Sequence, residues 1–171
     1  MTGEPEAARS LPHPLAGVDA HAALLDGRRR LTATIEQLDE VRARQVVHGE
    51  WRVHDLLTHI AAWDALIAGF LRAVAVGERD FEVTAAPEGD WAAWNREQVG
   101  AADRDQLIAR IEALHRSRDE LLDAFFALQP ALLDLEVEAP WGATDTIRGH
   151  VVVQAIHEAQ HVDAINEALD G

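Results

Sequence analysis

Two histidines four residues apart form the pair in this sequence best suited to binding a metal ion. His157 and His161 lie in the segment HEAQH. On a helix this spacing places two imidazoles on one face, about one turn or ~6 Å apart, where both can reach one ion. Histidines at this spacing also occur on helices that bind nothing, so a metal site needs a third ligand from elsewhere in the chain.

His59 is the best candidate for that third ligand. It lies at the centre of the apolar face of a predicted second long helix, close to Leu56 and Trp63, whereas His54 is expected to point toward solvent. An inward histidine alone is more often a hydrogen-bonded core residue. Combined with the pair on the last helix, His59 predicts a three-histidine site in the interior of a helical bundle, the usual place for metal sites in such folds. A purely structural bundle without metal is the alternative.

Glu158 gives the segment the HExxH pattern of zinc proteases, in which the glutamate is the general base. The extended protease motif would require glycine at Ala164 and histidine at Glu167, so the third ligand must come from upstream and a protease is disfavoured. Glu158 falls among apolar positions and therefore needs a partner. We expect it to orient an imidazole by accepting its N–H, or to act as a base toward metal-bound water.

Two further polar residues are predicted to face the interior from the third long helix. His115 and Arg118 project to the same side as Ile111 and Leu122. Either His115 is a buried hydrogen-bonded residue and Arg118 extends to the end of the bundle, or both are substrate contacts.

The elements that must position these residues are predicted to be helices. Apolar residues at steps of three, four and seven, together with capping residues and Gly or Pro breaks, predict four long helices. They cover residues 18–43, 53–76, 103–128, with Asp103 as N-cap, and a last helix capped by Thr144 or Asp145 that runs to residue 169; a shorter segment covers residues 91–99. Because strand-like alternation is missing, the fold class is all-α: a four-helix bundle with a short extra helix in the crossing between helices two and three.

Composition narrows the classes of function. With 30 acidic and 15 basic residues the formal charge is −15, so nucleic acids and anionic membranes are poor partners. The sequence has no cysteine, which leaves histidine and carboxylate for metal chemistry. Residues 1–17 are expected to form a flexible lead and residues 18–171 a single domain. Since no leader pattern and no apolar run near the ~20 residues of a membrane span is recognised, a cytoplasmic protein is expected.

Several of these motifs together resemble a known family. The segment from Trp51 through Asp55 and His59 to Trp63, the pair Trp94-Asn95, and the HxxxH of the last helix resemble the DinB/YfiT-like superfamily of metal-binding four-helix bundles. The resemblance covers roughly residues 20–170. Arg52 departs from the pattern, because relatives often have a serine or threonine helix cap there.

The resemblance implies one nickel or zinc ion held by His59, His157 and His161. It also implies activity as a thiol-dependent transferase or isomerase using bacillithiol, mycothiol or glutathione, and a homodimer. The leading expectation is therefore a metal-dependent thiol transferase acting on a small molecule. A metal-dependent hydrolase and a non-catalytic metal-binding or stress-response protein are the alternatives. Surplus apolar residues on the last helix, namely Val152, Val153 and Ile156, are expected to contribute to the dimer.

Overall fold

Five α-helices dominate the part of the chain that this computed structural model describes, namely residues 18–78, 89–102 and 106–171. In chain order the elements are α1 (Ala20–Ile35), β1 (Val46–His48), β2 (Trp51–Arg52), α2 (Val53–Ala75), α3 (Trp91–Ala101), α4 (Leu107–Phe126), β3 (Glu136–Glu138), β4 (Thr144–Thr146) and α5 (Ile147–Asp170). The four long helices and the short α3 confirm the predicted fold class.

The long helices pack mainly as two pairs, α1 with α5 and α2 with α4. Along the first pair, Arg30 contacts Asp163 and Thr34 donates to Asn166, so both helices advance in the same direction. The second pair is also parallel, since Arg110 meets Thr58 near one end and Arg72 meets Glu120 farther along. Parallel neighbours cannot be joined by tight turns, which is why the connections are long.

A polar layer divides the core into two apolar clusters. One cluster includes Leu24, Ile67, Leu121 and Ala155, and the other includes Leu31, Ile60, Leu114 and Val162. On each helix a different residue separates the two clusters: Gly27 on α1, Asp64 on α2, Arg118 on α4 and Glu158 on α5. The four helices therefore bring one glycine and three charged side chains to the same level of the bundle.

Helix ends differ from the sequence prediction where side chains compete with the helical backbone. α1 ends at Ile35, eight residues before its predicted end at 43. Asp39 then accepts hydrogen bonds from the Val41 and Arg42 N–H groups, which turns the chain into a short 3₁₀ segment. The β1–β2 hairpin that follows brings the chain back to the start of α2.

Both later helices also begin after their predicted caps. The N-cap of α4 is Gln106, while Asp103 lies outside the described residues. The N-cap of α5 is Thr146, whose hydroxyl accepts from the Gly149 N–H at 3.0 Å. Thr144 and Asp145 do not cap the helix, because they pair with Glu138 and Val137 in the β3–β4 hairpin. The two hairpins are too short to show alternation in the sequence.

Two expectations about apolar surface are revised. By length and composition α2 could cross a membrane, contrary to the expectation that no segment approaches this limit. Half of its most apolar stretch is buried inside the bundle, as in the core helix of a globular fold.

The apolar surface predicted on α5 is smaller than expected. Val152 is buried in the core, so only the partly buried Val153 and the exposed Ile156 remain on the outer side of this helix. The predicted lead, residues 1–17, lies outside the described residues.

Candidate metal centre

The first histidine of the site is positioned by the start of α2. β2 runs directly into this helix, and the Asp55 carboxylate accepts the Arg52 N–H at 2.9 Å. Arg52, the N-cap residue, makes no side-chain cap hydrogen bond. Asp55 stabilises the helix N-terminus in its place. His59 follows one turn later and is buried, with 4% of its surface exposed.

The other two histidines extend from the middle of α5. His157 and His161 are half-buried, and their Nε2 atoms lie 3.0 Å apart. The His59 ring centroid lies 5.3 Å from that of His157 and 4.8 Å from that of His161. One potential ligand nitrogen from each of the three residues falls within 4.8 Å of the others. The structure therefore brings together all three residues predicted as metal ligands.

Burial keeps these imidazoles neutral. Desolvation, with smaller contributions from the neighbouring His161 and His157, lowers the pKa of His59 to about 3. Desolvation and the proximity of His157 lower the pKa of His161 to about 4, and desolvation also lowers the pKa of His157. All three side chains are consequently in the form that binds metals at neutral pH.

The donor set fits a divalent transition-metal ion. Zinc–nitrogen bonds of ~2.0–2.1 Å and tetrahedral angles separate two ligand nitrogens by roughly 3.3 Å, close to the 3.0 Å between the facing Nε2 atoms. The buried Nδ1 of His59 has no hydrogen-bond partner among the described residues. Imidazole ligands suit zinc, nickel, copper and iron. Three of them leave a coordination position open, as in catalytic rather than structural zinc sites.

Tryptophans lie beside two of the three histidines, His59 and His157. Trp51 lies 5.1 Å from His59 between ring centroids, and Trp63 lies 5.8 Å from His157. Trp63 also contacts Trp91 and Trp141, at 5.3 and 5.9 Å. The Trp63 indole N–H donates to the Asn95 side-chain oxygen at 3.0 Å, which fixes the orientation of the ring. An aromatic surface thus lies directly beside the candidate metal ligands.

Glu158 has a different partner from the one predicted. It is fully buried and pairs with Arg118 instead of an imidazole. The Arg118 Nε also donates to Asp64 at 3.0 Å, and Gln154 donates to the other Asp64 oxygen at 3.3 Å. Glu158 therefore lies in a buried ionic network, where burial raises its pKa against the lowering effect of Arg118.

This network also revises the prediction for Arg118. With 2% of its surface exposed, its side chain neither extends to the end of the bundle nor offers its paired atoms to a substrate. Asp64 and its role were missed by the sequence reasoning. The available signal was a single carboxylate within the apolar run of α2, at the same inner level as a cationic residue on another helix.

The remaining polar candidates lie away from the three histidines. His115 is half-buried on α4 and takes no part in the ring contacts of the triad. His54 does not face solvent as predicted: its side chain is 17% exposed and its Nε2 lies 3.3 Å from Asp55 Oδ1. His54 nevertheless lies outside the group of possible ligands, which contains only His59, His157 and His161 among the described residues.

The fold and this centre define a helical bundle with a three-histidine site that could hold a metal ion. The chain belongs to the DinB superfamily, whose family model matches residues 23–165.

Several solved structures share the fold of this chain. The crystal structure of a mycothiol-dependent maleylpyruvate isomerase superposes with a TM-score of 0.74 at 13% identity, covering 85% of this chain and 59% of the isomerase. A single-site mutant of that isomerase gives a TM-score of 0.69, again at 13% identity, with coverages of 82% and 58%. This chain therefore spans about three-fifths of the isomerase's length.

A third structure matches over nearly its whole length. YfiT from Bacillus subtilis, described as a probable metal-dependent hydrolase with an unusual four-helix bundle topology, gives a TM-score of 0.70 at 14% identity, covering 97% of this chain and 92% of YfiT. A comparison with proteins of curated function found no match.

Proposed function

We propose that this protein is a metal-dependent enzyme that activates a low-molecular-weight thiol for transfer to a small-molecule substrate. One zinc or nickel ion would be held by His59, His157 and His161. The observation that carries the proposal is the convergence of three neutral imidazoles at a partly open site. A divalent ion bound there would supply Lewis acidity and lower the pKa of a thiol or water.

The protein's own residues would bind and orient the reactants. His59, being buried, holds its imidazole in one place, while the half-buried His157 and His161 leave access from solvent. The tryptophans beside them limit access of water to one side of the centre. The isomerase with the same fold depends on mycothiol, which supports the choice of thiol chemistry. That isomerase is a longer protein, of which this chain covers 59%.

A hydrolase is the second candidate, and the similarity to YfiT favours it. Hydrolysis commonly uses a carboxylate or histidine as general base near the attacking water. A base was one of the two roles expected for Glu158, but its burial and its pairing with Arg118 argue against that role. The group of possible ligands that the described residues form contains no carboxylate. Thiol activation, which needs only the lowered pKa of the thiol, is therefore preferred.

Cobalt substitution tests the proposal. Protein loaded with Co²⁺ should develop a sulfur-to-cobalt charge-transfer band in the near ultraviolet when a thiol such as cysteine is added, and the His161→Ala variant should not. Turnover is then measured as thiol consumption with a soluble electrophile. Hydrolysis of an activated ester without thiol-dependent turnover would favour the hydrolase. A loaded protein that binds thiol yet shows neither activity would favour a non-catalytic metal-binding protein.

A further inference from the structure

The tryptophans form a single aromatic cluster with the candidate ligands. All five tryptophans of the chain are linked by ring contacts through His59, His157 or one another. Trp94 is buried and forms the base of the cluster. The other four are partly exposed and come from different segments; we call them the aromatic frame: Trp51, Trp63, Trp91 and Trp141.

Partial exposure of four large rings at one place needs an explanation. Tryptophan buries more apolar area than most residues, so leaving several rings in contact with water forgoes part of the hydrophobic stabilisation. Scattered exposed apolar residues need no explanation, but a concentrated patch marks a binding surface. Here the patch adjoins the residues proposed to bind the metal, and its central ring is fixed by the Trp63–Asn95 hydrogen bond. The frame is thus preorganised for a ligand.

We infer that the aromatic frame binds an aromatic group of the substrate, placed beside the proposed metal ion. This inference rests on the proposed function and specifies its substrate class. Aromatic surfaces also attract organic cations. A divalent ion held by three neutral histidines would repel a cation a few ångströms away, because no carboxylate among the described residues joins the ligand group to offset its charge. We therefore assign the frame to an aromatic ring that carries no positive charge.

Matched pairs of small molecules separate aromatic recognition from simple hydrophobicity. Benzyl mercaptan and cyclohexylmethanethiol have similar size and the same reactive group, but only the first has a π-system. Cobalt-loaded protein is titrated with each while the charge-transfer band is followed. Ring–ring contacts add enough beyond area burial to give benzyl mercaptan about two- to tenfold tighter binding. Equal affinities, or a preference for the cyclohexyl compound, would overturn the inference.

Substitutions in the frame assign the preference to named rings. Trp91→Leu should abolish the benzyl preference, and Trp91→Phe should retain most of it, since a ring remains. Trp51→Leu provides a second test, at the ring that contacts His59. The control is Phe126→Leu, which removes an aromatic ring that is 46% exposed and stacks on His21 instead of lying at the triad. A preference that survives both leucine variants at Trp51 and Trp91 would contradict the inference.

A second pair of small molecules distinguishes failure of this inference from failure of the proposed function. Benzyl alcohol and cyclohexylmethanol are added to the same protein, with and without metal, and tryptophan fluorescence is recorded. A stronger response to benzyl alcohol supports the aromatic frame even if no thiol–cobalt band forms, in which case only the thiol proposal fails. Thiol–cobalt bands with no aromatic preference in either pair would leave the proposed function standing and remove the frame as a recognition surface.

Discussion

The Nε2 atoms of His157 and His161 lie 3.0 Å apart, one turn apart on the same helix. Two neutral imidazole nitrogens cannot both direct lone pairs at each other over this distance without repulsion. Either one of them carries a proton and donates it to the other, or a cation lies between them. With His59 close to both, this arrangement makes protons and metal ions competitors for one site.

Burial of these histidines also predicts a pH dependence for the stability of the metal-free protein. The pKa of His59 is lowered to about 3 and that of His161 to about 4, both from an ordinary value of 6.5. Between about pH 4 and pH 6.5 the unfolded chain therefore binds more protons at these residues than the folded chain does. Their contribution to the free energy of unfolding must then rise as pH rises through this window.

Asp64 acts in the opposite direction and has to be separated from the histidines. Burial and the nearby Glu158 raise its pKa to about 7, so its contribution to stability falls as pH rises from 3.8 toward 7. Urea unfolding of the metal-free wild type and His161→Gln is measured at several pH values. The difference between their free energies of unfolding gives the contribution of His161. The variant should show a shallower rise between pH 4 and 6.5, while substitution of the exposed His48 by Gln should leave the curve unchanged. Identical curves for wild type and His161→Gln would contradict the burial argument.

Gly27 should be sensitive to the addition of a single methyl group. A Cβ atom there would lie 3.3 Å from a Glu158 carboxylate oxygen, inside the layer that separates the two apolar clusters. Gly27→Ala should therefore lower the free energy of unfolding by about 1–3 kcal/mol, as overpacking does. Gly100, on α3, has nothing within 4 Å of such an atom. Gly100→Ala should instead gain up to about 1 kcal/mol. If both variants are stabilised in urea unfolding, Gly27 does not adjoin Glu158.

The buried layer should support the fold more than it supports metal binding. Arg118→Met leaves two buried carboxylates without their shared cation, and breaking such a pair costs about 3–5 kcal/mol. Glu158→Gln keeps Arg118 paired with Asp64 and should cost less, about 1–3 kcal/mol. Because Glu158 contacts Arg118 and no imidazole, folded Glu158→Gln protein should keep its metal. Loss of metal as complete as in a histidine variant would identify Glu158 as a direct ligand.

Much of the bundle could be predicted because its helices carry apolar stripes with the helical period. The shared direction of His157 and His161, two of the proposed ligands, was predictable for the same reason, since it follows from their i, i+4 spacing. The network of Asp64, Arg118 and Glu158 could not be derived in the same way. Which buried charges meet depends on the relative heights of three helices, and helical periodicity describes direction around an axis without fixing height along it.

Helix ends were less predictable than helix faces. Beyond the end of α1, Asp39 accepts hydrogen bonds from its own backbone neighbours at the start of the 3₁₀ segment, a local interaction that apolar periodicity does not report. Thr144 and Asp145 have side chains suited to capping but are used in a hairpin whose partner strand lies several residues upstream. His54 was expected to face solvent, but its partial burial beside Asp55 depends on the start of α4 packing against α2.

The homodimer remains a prediction. Because Val152 is buried in the core, the predicted interface on α5 is reduced to Val153 and Ile156. Ile156 is 40% exposed on α5, with the partly buried Val153 on the same helix. We expect Ile156→Glu to shift a dimer toward monomer in light scattering at micromolar concentration, because a charge in an apolar interface is costly. The exposed Ile108 on α4 provides the matched control, Ile108→Glu. A wild-type protein that is already monomeric at that concentration would contradict the prediction.

Elemental analysis of untagged protein purified without a nickel column tests the central claim most directly. The wild type should contain about one equivalent of a divalent transition metal per chain. His59→Ala, His157→Ala and His161→Ala should each lack stoichiometric metal while remaining folded by circular dichroism, and His54→Ala should retain it. Wild-type protein that holds no metal and takes up none when zinc or nickel is supplied would contradict the account, as would full metal content in any one of the three triad variants.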